Sequence, residues 1–165
     1  MLSLRLGSGR VGDANMSGSL FFEDIEPGDR IAGDSHLIDK THMLAFANEW
    51  DPMPIHVDEA AGRAAFGSLT APGLYVLAVK QLLLRTSPLN ADSVIASFGY
   101  DELRFHKPVR PGDTVTLGIE CVEKRASRSR PEAGIVTVRL DLTNQQDEVV
   151  ISHLDTVLIR KRTAD

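Results

Sequence analysis

The stretch TAPGLYVLAVKQLLLRTSP, residues 70–88, decides the fold. Pro72 suits the first turn of a helix, where its missing N–H costs nothing, and Pro88 lies past the helix end. Between the two prolines, apolar residues cover nearly the whole circumference of the predicted helix. A helix that is apolar all round is buried on most of its sides. In a chain of 165 residues, this pattern predicts one central helix wrapped by the rest of the fold.

The sequence after this helix is rich in β-branched residues, and several segments alternate apolar and polar residues, which is typical of half-buried antiparallel strands. The connections RPGD, residues 110–113, and TNQQDE, residues 143–148, predict hairpins. We therefore expect an α+β fold, in which a long antiparallel sheet of five or six strands curls around one helix. The four predicted strands are SVIASFGYDELRF (93–105), DTVTLGIECVEKR (113–125), GIVTVRLDLTNQ (134–145) and EVVISHLDTVLIRK (148–161).

The sequence before the central helix predicts a weaker strand and two short helices. RIAGDSHLID, residues 30–39, is the weak strand, and KTHMLAFANEW, residues 40–50, is a helix capped by Asp39 or Thr41. DEAAGRAAF, residues 58–66, is a second helix, for which Asp58 is a well-suited N-cap.

The length favours one domain, which we place at residues 19–165. The Gly- and Ser-rich residues 1–18 form a loosely held arm or an extension, with Met16 as an alternative start.

Composition and charge exclude several classes of protein. The net charge is −5 and no basic stripe is present, which argues against nucleic-acid binding. The single cysteine, Cys121, excludes a disulfide framework and a cysteine zinc site within one chain. The longest apolar run is too short to span a bilayer, and the first residues lack the apolar core of a signal peptide. We therefore expect a cytoplasmic protein without a membrane partner.

The segment WDPMPIHVD, residues 50–58, places Asp51 and His56 in a proline-stiffened stretch. The two prolines forbid a regular helix here and predict an extended chain. By themselves, Asp51 could be a turn or cap residue and His56 a core histidine, or the two could form a rigid proton-transfer pair. Together with Asp58 they imitate a metal site, but they supply few ligands and the cap's oxygens are occupied. We therefore expect no metal.

These segments together resemble the hotdog fold of the MaoC-like dehydratase and (R)-specific enoyl-CoA hydratase family, over roughly residues 19–162. Two departures stand out, because many active hydratases have asparagine in place of Met53 and His-Gly in place of Pro72-Gly73. The resemblance is carried by the signature residues Asp51, Met53, Pro54, Ile55, His56 and Asp58, by APGLY (71–75) and by LRFHKPVRPGDTV (103–115).

The resemblance implies a lyase that hydrates a 2-enoyl-CoA to the (R)-3-hydroxyacyl-CoA, on coenzyme A or an acyl carrier, without a cofactor. Asp51 and His56 match the family's catalytic pair, and Gly73 lies where the family places a main-chain N–H for the thioester oxygen. We expect substrate contacts from Met53, Pro72 and Leu74. An exposed sheet edge invites pairing, and relatives pair edge to edge, so we expect a homodimer or a higher homo-oligomer.

Two other functions stay open. The hotdog fold also serves thioesterases, but their acidic residue usually sits on the central helix, which has no Asp or Glu from Pro72 to Arg85. The departure at Met53 keeps open a non-catalytic acyl-CoA-binding or interaction subunit. The basic run EKRASRSR, residues 123–130, is a solvated hairpin loop or attracts coenzyme A phosphates. The remaining residues of interest, His36, His42, His106, His153 and Cys121, are expected to be ordinary surface or strand residues.

Overall fold

A computed structural model describes residues 18–90 and 92–162 of the chain. The arm expected at residues 1–18 therefore lies outside the described residues, apart from Gly18. A short 3₁₀ turn, Phe22–Asp24, precedes the regular elements. The helices are α1 (Lys40–Trp50), α2 (Pro54–Val57), α3 (Glu59–Phe66) and α4 (Gly73–Thr86), and the strands are β1 (Arg30–Leu37), β2 (Val94–Phe105), β3 (Thr114–Ala126), β4 (Ala133–Thr143) and β5 (Val149–Arg160).

The five strands form one antiparallel sheet in the order β1-β3-β4-β5-β2, which confirms the predicted α+β class. Strands β3, β4 and β5 alternate buried and half-buried residues over most of their length, as the sequence pattern predicted. The hairpin expected at residues 143–148 joins the neighbouring strands β4 and β5 and is confirmed.

The hairpin expected at residues 110–113 is wrong. The RPGD segment links β2 to β3, but β2 pairs only with β5, whereas β3 lies between β1 and β4. The segment is a tight turn, in which Gly112 has φ +89°, on a connection that crosses from one side of the sheet to the other. Local turn chemistry predicted the bend correctly, but it cannot predict which strand the chain pairs with after the bend.

Helix α4 packs across β1 and β3, and one face of it enters the core. The opposite face is open in the single chain, where Leu74 is 60% exposed and Leu82 is also exposed. The expectation of a helix buried on most sides is therefore wrong for the single chain. An apolar circumference predicts burial on several sides, but one sheet covers only one of them. The polar residue Lys80 lies on the buried face of α4.

The two short predicted helices are confirmed, and each has the expected cap. The Asp39 side chain accepts a hydrogen bond from the His42 N–H at the start of α1. The Asp58 side chain accepts hydrogen bonds from the N–H groups of Ala60 and Ala61 at the start of α3. Within the described ranges, no helix has the length and apolar character that a membrane span requires.

The edge strand β2 exposes several large apolar side chains. Phe98 is 62% exposed, and Tyr100 and Phe105 are also more than one third exposed. The strand carries three irregularities in its pairing with β5, and Gly99 within it has φ +134°. The open edge of β2 and the open side of α4 are therefore two apolar surfaces that the described part of the chain leaves uncovered.

Candidate active site

Asp51 lies directly after α1, where the chain leaves the helix. Its N–H still donates to the Ala47 carbonyl at 2.9 Å, but its φ of −154° and ψ of 70° are not helical. Pro52 forces this end, because the residue before a proline is sterically excluded from the helical region. The Asp51 carboxylate is therefore held at the C-terminal end of a regular helix, about one third exposed.

His56 lies in a helical turn, not in an extended chain as the two prolines predicted. Pro54 is the first residue of α2, and the His56 N–H donates to the Met53 carbonyl at 2.8 Å. A proline is tolerated in a first helical turn because its missing N–H would have no intrahelical partner there. The two prolines therefore end one helix and begin the next, and His56 projects from a short rigid turn.

The ring of His56 is buried, with 7% of the residue exposed, and the contacts of its two nitrogens differ. Nδ1 lies 2.7 Å from the Thr70 carbonyl oxygen and 3.3 Å from the Thr70 hydroxyl. A carbonyl only accepts, so Nδ1 carries the proton in the neutral ring and Nε2 is left with a lone pair. Nε2 faces the Asp51 Oδ2 at 3.7 Å, so the structure brings the predicted pair together.

The segment before α4 connects His56 to the start of the central helix. The Thr70 N–H donates to the Ile55 carbonyl at 3.1 Å, and the Ala71 N–H donates to the Val109 carbonyl at 2.7 Å. Because Thr70 bonds both the backbone beside His56 and its ring, the imidazole is positioned relative to Gly73, three residues further on.

The N-terminus of α4 offers main-chain N–H groups that have no acceptor within the helix. The first helical bond runs from the Val76 N–H to the Pro72 carbonyl at 3.1 Å, so the N–H groups of residues 73–75 precede it. Pro72 is the N-cap instead of a first-turn residue, and it provides no side-chain acceptor. This end of the helix can therefore stabilise negative charge, with help from the helix dipole.

Gly73 also lies very close to strand β2. A Cβ atom on Gly73 would lie 2.7 Å from the Cζ of Phe105, a separation that real Cβ atoms essentially never show. Because Gly73 has no side chain, the Phe105 ring can pack directly against it. The missing side chain also leaves the Gly73 N–H accessible. Phe105 belongs to the motif LRFHKPVRPGDTV, but no role at the site was predicted for it, because its contact with Gly73 joins residues that are distant in sequence.

A cavity of about 420 Å³ opens on the Gly73 side of the Thr70 segment. Neither Asp51 nor His56 lines this cavity, and neither do the predicted substrate contacts. Of these, Met53 and Leu74 are exposed and Pro72 is buried. The lining is mostly apolar and consists of Phe66, Thr70, Ala71, Gly73, Val76, Phe105, His106, Lys107, Pro108, Val109 and Val150.

The other chemically interesting residues lie away from the pair. Cys121 is packed in β3, and burial raises the pKa of its thiol to about 11, so it stays protonated at neutral pH. The Nε2 of His106 lies 2.8 Å from the Ser152 hydroxyl on the exposed side of the sheet. Within residues 18–90 and 92–162, no group of three His, Cys, Asp or Glu side chains could hold a metal ion.

Comparisons with known proteins point to one family. The sequence model of the family described as MaoC like domain matches residues 25–144 of this chain. The crystal structure of the MaoC-like dehydratase from Rhodospirillum rubrum is 37% identical, with a TM-score of 0.81 over 88% of this chain and 100% of that chain. The 3-hydroxybutyryl-CoA dehydratase of Methylorubrum extorquens is 32% identical over 150 residues, which cover 87% of this chain and 86% of that protein.

The fold comparison agrees with these sequence matches. A Mycobacterium tuberculosis protein described as a double hotdog fold, Rv0216, has a TM-score of 0.73 and covers 90% of this chain and 46% of its own. Its identity is only 22%, so this likeness concerns the fold alone. The hotdog fold implied by the sequence resemblance is confirmed.

The Asp58 cap gives a prediction about stability. Asp58→Ala removes the acceptor for two N–H groups of α3 and should lower the free energy of unfolding by about 1 kcal/mol. Asp58→Asn should change it much less, because asparagine caps nearly as well. Urea denaturation of both variants provides the measurement. An equal loss in both would mean that the charge of Asp58, and not its cap, matters.

Proposed function

The chain belongs to the MaoC-like dehydratase family, and from this premise we propose that it adds water to, or removes water from, an acyl thioester. The specific reaction we propose is hydration of a 2-enoyl-CoA to the (R)-3-hydroxyacyl-CoA, without a cofactor and in the cytoplasm. The observation that carries the proposal is the orientation of His56, whose Nδ1 is engaged by the Thr70 carbonyl while Nε2 faces the Asp51 carboxylate.

The chemistry requires a water molecule beside two acceptors. Nε2 of neutral His56 and the Asp51 carboxylate are both acceptors, so a water between them and the substrate can donate one O–H to each. When the water oxygen attacks the β-carbon, one proton passes to the pair, and the pair returns one proton to the α-carbon. The proton count therefore balances over a turnover, with Asp51 as the base and His56 as its partner.

The developing negative charge lies on the thioester oxygen, which needs hydrogen-bond donors. The Gly73 N–H at the start of α4 is suited to this role, because it precedes the first intrahelical bond and lies at the positive end of the helix dipole. Gly73 and Thr70 line the same cavity. The Thr70 carbonyl, which orients His56, thus links the proposed oxyanion donor to the proposed proton-transfer pair.

The proposed substrate contacts lie around this line of residues. Pro72 precedes the Gly73 N–H and fixes the direction in which the chain enters α4. Met53 and Leu74 expose apolar side chains, and we propose that they contact the acyl-carrier portion of the thioester.

Two other functions are less well supported. A thioesterase of the kind described above usually has a carboxylate on the central helix, and α4 has none. A non-catalytic acyl-CoA-binding subunit rests on methionine at position 53, where many hydratases have asparagine. The ordered contacts of His56 favour the lyase, because a binding subunit has no need of a buried imidazole turned toward a carboxylate.

We also propose that two copies of the chain pair through the exposed edge of β2. Unpaired N–H and C=O groups on this edge are a template for another strand, and the exposed Phe98 and Tyr100 add apolar area. The open side of α4, with Leu74 and Leu82, would be covered in the same assembly. The cavity is lined by Phe105 of the same strand, so a partner chain would lie close to the site.

The proton-transfer pair gives the main prediction. Asp51→Asn and His56→Ala should each lower kcat for hydration of a short 2-enoyl-CoA by about 10²–10⁴-fold, because each removes one proton-transfer group. The double variant should lose much less than the product of the two single losses, because the residues act as one unit. Loss of the absorbance of the conjugated thioester measures the rate.

Asp58→Asn is the matched control, because it changes a nearby aspartate that caps α3 and faces no ring nitrogen. The rate of this variant should stay close to that of the unmodified protein. Circular dichroism confirms folding of each variant. A folded Asp51→Asn protein that keeps more than about a third of its rate, far above the loss of a missing base, would show that Asp51 is not the base.

Gly73 gives a second prediction, which separates its two roles. Gly73→Ala should lower kcat about 10- to 100-fold, because the new methyl group displaces the reacting thioester or the Phe105 ring by about 1 Å. The double variant Gly73→Ala with Phe105→Leu relieves the clash with the ring. We expect this variant to stay slow, because the methyl group still crowds the Gly73 N–H. Recovery to the rate of Phe105→Leu alone would mean that Gly73 only seats Phe105.

The proposed pairing gives a third prediction. Sedimentation velocity at micromolar concentration should show a species of at least twice the 18.0 kDa chain mass. Phe98→Glu should shift it toward the monomer, because it places a charge at an apolar interface. Val122→Glu is the control, since Val122 is an exposed apolar residue on β3. A monomer for the unmodified protein would refute the pairing.

A further inference from the structure

Three polar side chains meet between α4 and the sheet, away from the Asp51–His56 pair. Lys80, Tyr100 and His153 form this group, which we call the Lys80 cluster. The Lys80 Nζ lies 3.0 Å from the Tyr100 hydroxyl and 4.3 Å from the centre of its ring. The rings of Tyr100 and His153 are tilted against each other, and their centres are 4.4 Å apart. Lys80 and His153 are only 1% and 2% exposed, whereas Tyr100 is 41% exposed and separates them from solvent.

The Lys80 cluster has unused hydrogen-bonding capacity. Among the residues that the structure describes, neither ring nitrogen of His153 has a hydrogen-bond partner, although both are buried. The acceptors of Lys80 are neutral, namely the Tyr100 hydroxyl and the Gln81 amide oxygen at 3.3 Å. Within residues 18–90 and 92–162, no carboxylate lies within 4.0 Å of its Nζ. Buried cations and unpaired polar groups are costly, so such a group in a native core calls for a partner.

The three elements that carry the Lys80 cluster, α4, β2 and β5, also line the cavity. On each of them the cluster residue lies further along the element in the same direction. On α4 the cavity is lined by Gly73 and Val76, and Lys80 follows on the same face, about 10 Å along the axis from Gly73 at 1.5 Å per residue. On β5 the cavity is lined by Val150, and His153 lies about 10 Å further at 3.3 Å per residue.

Strand β2 agrees with this placement. Phe105 lines the cavity, and Tyr100 lies further along the strand in the same direction, since β2 runs antiparallel to β5.

The charges around the Lys80 cluster favour a single anionic group. Burial and the positive charge of Lys80 lower the pKa of His153, so its ring is neutral at pH 7 and donates one N–H. Asp155 on β5 is buried, but its Oδ1 already accepts from the Ser97 hydroxyl at 2.6 Å. Asp141 on β4 is half-buried, and burial raises its pKa. Both carboxylates act on His153 only at longer range, which leaves Lys80 without a close counter-charge.

We propose that the Lys80 cluster binds a carboxylate at the far end of the acyl chain, so that the substrate class is the monothioester of a dicarboxylic acid. The inference rests on the proposed function, because it places the thioester at Gly73 and the chain along α4. The carboxylate accepts hydrogen bonds from the Lys80 Nζ, from the Tyr100 hydroxyl and from the His153 N–H. It supplies the close counter-charge that Lys80 lacks and a partner for the unpaired imidazole.

The test compares 2-enoyl-CoA thioesters of matched chain length that end in a methyl group or in a carboxylate. The unmodified protein should have a kcat/KM at least about tenfold higher for the carboxylate series, as expected for a charge-assisted hydrogen bond in a buried site. Lys80→Met should remove this preference, because kcat/KM for the carboxylate series should fall to that of the methyl series measured with the same variant. Replacing a buried charge by an apolar side chain of similar length is often neutral or stabilising, so this variant should fold.

Arg85→Met is the matched control, because it removes one positive charge from the exposed side of the same helix. It should leave the preference unchanged. Hydration of the methyl series without a preference for the carboxylate series would overturn the inference and leave the proposed function intact. A Lys80→Met variant that keeps the preference for the carboxylate series would also overturn the inference and leave the proposed function intact.

If no enoyl thioester is turned over, the proposed function fails and equilibrium binding decides the inference separately. Calorimetric titration would compare saturated acyl-CoA thioesters with a carboxylate or a methyl end. Tighter binding of the carboxylate form that is lost in Lys80→Met supports the Lys80 cluster as its site. Equal affinity of the two forms overturns it.

Discussion

Burial of one face of α4 against the sheet is the constraint on which the rest of the structure depends. The helix crosses β1 and β3, and the side chains of Val76, Val79 and Leu83 complete the core. This packing fixes where the helix begins, so it also fixes the position of the Gly73 N–H and of the Thr70 segment before it. The site is therefore built from the end of a core element, which holds it more rigidly than a surface loop would.

The hydrogen bond from His56 to the Thr70 carbonyl is the contact that orients the proposed proton-transfer pair. The two prolines around Met53 place Asp51 at the end of one helix and His56 in the next. By itself this spacing does not determine how the imidazole is oriented. The Thr70 carbonyl does, because it selects the tautomer and directs the other nitrogen toward Asp51. Preorganisation of this kind reduces the ordering that the reaction requires.

The core of this chain is unusually polar where α4 meets β2 and β5. A lysine, a histidine and an aspartate are almost fully buried there, and Tyr100 covers them at the sheet edge. A fold whose core only had to be stable would gain from apolar residues at these positions, because buried charges often cost more than they contribute. Their burial on α4, β2 and β5, which also line the apolar cavity, is the observation that supports the proposed recognition of an anionic group.

The sequence by itself predicted the five strands, the helices α1, α3 and α4 and the caps at Asp39 and Asp58, because periodicity and capping are local properties. The family resemblance predicted that Asp51 and His56 act as a pair. Only the tertiary structure decided that RPGD is a crossover and that α4 leaves one side open. It alone placed Phe105 against Gly73 and brought Lys80 to His153. These outcomes depend on contacts between residues distant in sequence, which local patterns do not encode.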